Sequence, residues 1–219
     1  MRVFLIPGFG ENESIFEPLL PFLSYDTVHV DVWKHLASFT GETLHVRTFV
    51  QHLNRELQIR STDLIIGHSM GGWIGIHLKQ ETGCRLIQIA SWTNPHKVIL
   101  PIQNRKVLYF LVQSGLYINK LTKAILIWKF YKNLPSRSIM EATLTRLIQT
   151  DKSLVVKQLQ LILEPSPTCT VLPDLRIHTR RDPIIRKPDE DYFEVSGDHF
   201  ALYTNPKEVA RGILSYLQR

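Results

Sequence analysis

One stretch narrows the folds open to this chain more than any other: Asp63-Leu64-Ile65-Ile66-Gly67-His68-Ser69-Met70-Gly71-Gly72-Trp73-Ile74-Gly75-Ile76. A short apolar run suits a buried parallel strand. Trp73, Ile74, Ile76 and Leu78 then begin a helix at once. A strand that turns this sharply strains the residue at its apex, and side chains two positions to either side would collide with the turn. Glycines at 67 and 71 remove that collision and leave Ser69 at the apex, a candidate nucleophile. The Gly-x-Ser-x-Gly spacing alone would arise by chance in about one chain in fourteen of this length, so its place between strand and helix carries the weight. A glycine-rich turn in some other α/β fold is the competing explanation.

The rest of the chain alternates in the same way. Arg2 to Pro7 reads as a first strand, with Gly8-Phe9-Gly10-Glu11 as the loop after it. Ser14 to Ser24 carries apolar residues at helical spacing, and Thr27 to Trp33 reads as a second strand. Leu44 to Leu57 suits a helix, Arg85 to Ala90 a strand, Leu175 to Thr179 another, and Tyr192 to Val195 the last. Asn205-Pro206 opens a final helix with Val209, Ile213, Leu214 and Leu217 inward. Strands alternating with helices predict right-handed crossovers and a parallel sheet. Between them, from Trp92 onward, Lys106 to Leu134 and Arg137 to Leu163 suit helices, so residues 95–165 form a helical insertion in a single domain over 1–219.

Composition excludes several classes. A chain of 219 residues with 44% hydrophobic content can bury one substantial core. The apolar start at Met1 stops at Pro7-Gly8, too soon for a signal sequence or a spanning helix. Cys84 and Cys169 lack metal or redox spacing, and a reducing cytoplasm fits them best. The formal charge of +6 is uneven: Pro95 to Pro165 holds eleven Lys or Arg against three acids, whereas the remainder holds fifteen bases and seventeen acids. The charge thus belongs to the insertion. A solvated face explains it, and so would attraction of an anionic substrate, a membrane surface or an acidic partner. Clustered Lys and Arg can mimic a nucleic-acid binder, but no nucleic-acid partner is expected. Nothing in the spacing sets an oligomeric state.

The strand-elbow-helix around Ser69 resembles the nucleophile elbow of the α/β-hydrolase superfamily. That resemblance implies a three-layer fold with a mainly parallel sheet, the N-terminal antiparallel strands missing, and a helical cap over Ser69. Pro7-Gly8-Phe9-Gly10 stands where the family has its His-Gly-aromatic-Gly loop, which implies an oxyanion hole made by the Phe9 and Met70 N–H groups. Arg180-Arg181-Asp182-Pro183 is similar to the family's strand-end acid segment, with Thr179 where glycine is common; Asp182 is then the triad acid, ahead of Asp174, Asp189 and Asp191. Ser196-Gly197-Asp198-His199 resembles the segment carrying the catalytic histidine, His199. His68 is expected to pack and Asp198 to cap its loop. Tyr109, Phe110, Tyr117, Trp128, Phe130 and Tyr131 are available to line a pocket.

The chemistry so implied is a serine hydrolase cleaving a carboxylic ester of a small or medium apolar acyl substrate through an acyl-enzyme, without metal or organic cofactor. A thioesterase or carbon–carbon hydrolase uses the same parts. So does a ligand receptor or interaction module of this fold.

Overall fold

The computed structural model describes residues 1–166 and 168–218, so residues 167 and 219 of the single domain expected over 1–219 lie outside it. Its frame is set by four runs that are buried almost throughout. Val3–Ile6 (β1), Leu64–His68 (β3), and most of Arg85–Ile89 (β4) and Leu175–Thr179 (β5) are buried on both faces, as strands between two helical layers must be. Thr27–His29 (β2) and Phe193–Val195 (β6) close the edges. The order is β2-β1-β3-β4-β5-β6, and every pair is parallel.

Side chains alternate across the sheet. Phe4, Ile6 and Ile65 face one layer, with Leu36 of Val32–Ser38 (α1), Phe49 of Val46–Leu57 (α2) and Ile74 of Met70–Thr82 (α3). Val3, Leu5, Leu64 and Ile66 face the other, with Ile15, Phe16 and Ile213 of Pro206–Leu217 (α9), which follows the single turn Ala201–Thr204 (α8). The chain runs outward from β1 to β2 and then back past β1 to β3. The strand order therefore reverses between β1 and β3, and in open parallel sheets the crevice at the carboxyl ends beside such a reversal is where ligands bind.

Two expected elements differ. The strand expected over Thr27–Trp33 stops at His29, because Asp31 accepts the Lys34 N–H (3.0 Å) and starts α1 at Val32. The helix expected over Ser14–Ser24 is two single 3-10 turns, Glu13–Ile15 and Leu20–Phe22; Pro18 and Pro21 each remove a backbone donor that a continuous helix needs.

Between β4 and β5 the chain is helical but in more pieces than expected. Arg105–Gln113 (α4) ends before Gly115, whose φ of +74° takes the left-handed region. An Asn119–Thr122 capping box then starts Lys120–Leu126 (α5), continued by a π turn over Ile127–Tyr131. Arg137–Gln149 (α6) and Lys152–Leu163 (α7) are separated by Thr150 and Asp151, the latter capping α7 through the Ser153 N–H (2.7 Å). α7 departs from a simple cap, because it packs on α1, α2 and α3 and its Leu161 carbonyl accepts the Trp73 indole N–H (2.9 Å). It serves the sheet's helical layer as well as roofing it.

Candidate active site

All the candidate side chains sit at the carboxyl ends of strands. Ser69 follows β3 with φ 51° and ψ −120°, a conformation outside the regions favoured by side-chain-bearing residues. The surroundings hold it there. The Ser69 N–H donates to the Ile89 carbonyl (3.0 Å), and its carbonyl accepts the Ser91 hydroxyl (2.7 Å) and the Gly72 N–H (3.0 Å). A Cβ on Gly71 would overlap the Ile6 carbonyl oxygen, and one on Gly67 would lie 2.5 Å from the Gly71 carbonyl carbon. No other residue fits either place.

Asp182 follows β5 and His199 follows β6. The structure brings both to Ser69. The Ser69 hydroxyl donates to His199 Nε2 (3.0 Å), and His199 Nδ1–H donates to Asp182 Oδ2 (2.8 Å). A carboxylate can only accept, so the Nδ1 proton is directed at Asp182 and Nε2 is left with its lone pair toward the serine. Asp182 Oδ1 accepts the Ile184 and Ile185 N–H groups (2.8 and 2.9 Å), which fixes the carboxylate plane. Both side chains are almost fully buried. Burial alone would raise the Asp182 pKa, but the His199 charge and hydrogen bond and the two backbone donors outweigh it, holding the carboxyl below its usual range. Burial likewise opposes a charged His199, yet the Asp182 charge and hydrogen bond, aided by Glu11 and Asp198, raise it above an ordinary histidine. Two of the three competing acids are engaged elsewhere: Asp174 pairs with Lys79 and accepts the Leu86 N–H, and Asp189 pairs with Lys97.

His68 does more than pack, and Glu11 is the partner that sequence reasoning missed. His68 Nε2 donates to the His199 backbone carbonyl (2.9 Å), and Nδ1 faces Glu11 Oε2 (2.9 Å). The same Glu11 oxygen accepts the Gly8 N–H (2.6 Å). Glu11 thereby links the loop after β1 to the loop that carries His199. Nothing in their spacing of fifty-seven positions pairs residues 11 and 68; the available signal was an acid inside a strand-end loop of glycines. Asp198 caps its loop as expected, accepting the Phe200 N–H (3.0 Å), and also accepts the Ser136 hydroxyl from the helical segment.

Gly8 lies against Ser69, since a Cβ there would sit 2.9 Å from the serine Cβ. Two residues on, Gly10 is held from above: its N–H donates to Gln158 Oε1 (2.9 Å) and its carbonyl accepts Arg146 Nη1 (3.0 Å). Among the described residues neither the Phe9 nor the Met70 N–H has a hydrogen-bond acceptor. Phe9 and Ser69 line one cavity of about 210 Å³, with Trp92, Leu108, Val112, Tyr117, Ile118, Leu159 and Ile185 among its walls. No Lys or Arg lines it. Of the six aromatics considered for the pocket, Tyr117 alone does. Tyr109 instead donates to Glu164 (3.1 Å), and Phe110, Trp128 and Phe130 point outward. The described residues hold no group of three or more His, Cys, Asp or Glu placed to bind a metal ion.

A family model described as the alpha/beta hydrolase family matches residues 3–211. The chain belongs to that family. Among solved structures, it is similar to the enol-lactonase from Burkholderia xenovorans LB400, at 15% identity and TM-score 0.76, covering 100% of this chain and 91% of that one. It also resembles a thermophilic esterase from Thermogutta terrifontis, at 12% identity and TM-score 0.67, covering 100% and 89%. A third is the N-Fopmylmaleamic acid deformylase from Pseudomonas putida S16, at 16% identity and TM-score 0.63, covering 97% and 91%. A search of curated proteins found no match. At such identities the likeness concerns the alpha/beta hydrolase fold.

Proposed function

We propose that the protein is a serine hydrolase that cleaves a carboxylic ester of a small or medium apolar acyl group through an acyl-enzyme. One observation carries this reading: the unbroken hydrogen-bonded series from Ser69 Oγ to His199 to Asp182, opening on an apolar cavity. His199 Nε2 takes the Ser69 proton as Oγ attacks the ester carbonyl carbon, and the imidazolium is steadied by Asp182. The imidazolium then returns the proton to the departing alkoxide. Water repeats the sequence on the acyl-enzyme, releasing the acid and freeing Ser69. The Phe9 and Met70 N–H groups receive the oxyanion, each worth about 3 kcal/mol of barrier by analogy with comparable donors. The helices after β4 act as the cap, and their apolar walls select the acyl group.

A phosphate-bearing thioester carrier is less well supported, because the cavity walls carry no cation. The two cysteines are unpaired, which suits a reducing compartment such as the cytoplasm. The test is intact mass after treatment with a fluorophosphonate probe. A single adduct on the wild type that vanishes in Ser69→Ala, followed by turnover of p-nitrophenyl acyl esters, supports the proposal. A folded wild type that forms no adduct and turns over no ester overturns it in favour of a receptor.

A further inference from the structure

The outer surface of α4, α5 and the π turn has the wrong polarity for a helical layer facing water. Among the described residues twelve large apolar side chains are exposed, and eight of them lie between Val107 and Leu134. Leu121, Ile125 and Trp128 fall at i, i+4 and i+7 and are 70%, 52% and 67% exposed, so a helical apolar stripe points away from the core. The inward positions of the same stretch, Ile127 and Tyr131, are buried in the second core layer. The stripe is therefore additional to the packing face.

Charge along the segment that carries the stripe is of one sign. From Val98 to Met140 the sequence contains seven Lys or Arg and no Asp or Glu. Lys120, Lys129 and Lys132 are exposed, and among the described residues they form no ion pair. Two hollows flank the stripe. One, of about 470 Å³, joins Trp128 to Lys123, Lys132 and Arg137, with Glu141 the one acid at its wall. The other, of about 340 Å³, is apolar and runs from Ile125 and Phe130 to Phe9, Tyr117 and Ile118. Those last three residues also line the cavity at Ser69.

We propose that this face docks on an anionic phospholipid surface. Leu121, Ile125 and Trp128 would enter the acyl-headgroup boundary while the lysines meet the lipid phosphates, the division of labour expected of an interfacial amphipathic helix. Charge complementarity selects this occupant: a surface rich in lysines, whose one nearby acid, Glu141, is paired with Arg137, flanks an apolar stripe and matches phosphates above hydrocarbon. The apolar hollow behind Phe130 gives an acyl chain leaving that surface a path to the walls it shares with Ser69. The docking face stands independently of the chemistry proposed at Ser69, so it is tested by binding alone.

The experiment is vesicle co-sedimentation of the full chain, with Trp fluorescence, on roughly three parts phosphatidylcholine to one part phosphatidylglycerol, against phosphatidylcholine alone. The wild type should partition onto the anionic vesicles at low salt, with a blue-shifted emission, and release as salt rises. Lys120→Glu/Lys129→Glu/Lys132→Glu should lose about a hundredfold or more, from roughly a factor of five per removed lysine. Leu121→Ser/Trp128→Ser, melting like the wild type, should lose at least about tenfold. Absence of anionic partitioning by the wild type overturns the proposal, as does equal binding to neutral vesicles or undiminished binding by the apolar variant. A dimer in solution that the apolar variant splits would assign the stripe to a second copy and overturn it too.

Discussion

Replacing Glu11 by alanine tests whether the Glu11–His68 pair positions the proposed general base. The side chain is 3% exposed, and one of its oxygens faces two polar groups, the Gly8 N–H at 2.6 Å and His68 Nδ1 at 2.9 Å. Truncation leaves both without that partner. At about 1–3 kcal/mol for each buried group so stranded, the loss should be about 2–6 kcal/mol. For a chain of this size that lowers the melting temperature by at least about 4 °C. Glu11 is also among the charges that raise His199. Glu11→Gln, which keeps an acceptor oxygen, should therefore recover much of the stability yet move the acidic limb of the activity profile to lower pH. Thermal melting and pH profiles with a p-nitrophenyl ester read the two effects separately. An alanine variant that melts within about 1 °C of wild type, or a glutamine variant with an unmoved acidic limb, would refute the reasoning.

The wild-type profile has its own sign. His199 must be neutral to accept the serine proton, and its raised pKa places the acidic limb above 6.5, so turnover falls as pH drops through that value; a limb centred below 6.5 would contradict this. Asp182→Asn removes the leading influence that raises His199 and leaves burial to lower it, so the limb should move down while kcat falls about 10³–10⁴-fold by analogy with other triads. Wild-type kcat in that variant would move the acid elsewhere. Gly71→Ala should cost about 3 kcal/mol or more, since the new methyl would overlap the backbone of β1, and a wild-type melting curve would show that the elbow can shift.

The strand ends were legible because each left a local trace. The elbow combines glycines, a buried apolar run and an immediate helix, and Asp182 and His199 each follow a run of strand-forming residues. What stayed hidden depends on distance or on competition. Asp31 lies in a strand-like alternation, and only its side-chain bond to the Lys34 N–H turns Val32 and Trp33 into a helix. Glu11 and His68 meet solely because β1 and β3 are neighbours. The charge of the insertion was countable, but its use was not. Lys152 and Lys157 cap helix and loop carbonyls at Leu147, Ile148 and Leu36, Arg146 holds Gly10, and Arg105 pairs with Glu164, so much of the excess is spent on joining helices.

Gly10 gives those joints a mechanical meaning. Its N–H is held by Gln158 of α7 and its carbonyl by Arg146 of α6, while α7 is itself tied to α1 by Lys157 and to α3 by Trp73. Lifting α6 and α7 to admit a molecule would drag the Phe9 loop away from Ser69 and dismantle the very place where a carbonyl oxygen should rest. Among the described residues α4, α5 and the π turn make no hydrogen bond to that loop, so entry on their side would leave the Phe9 loop in place. The α6–α7 half thus keeps the proposed donors in register.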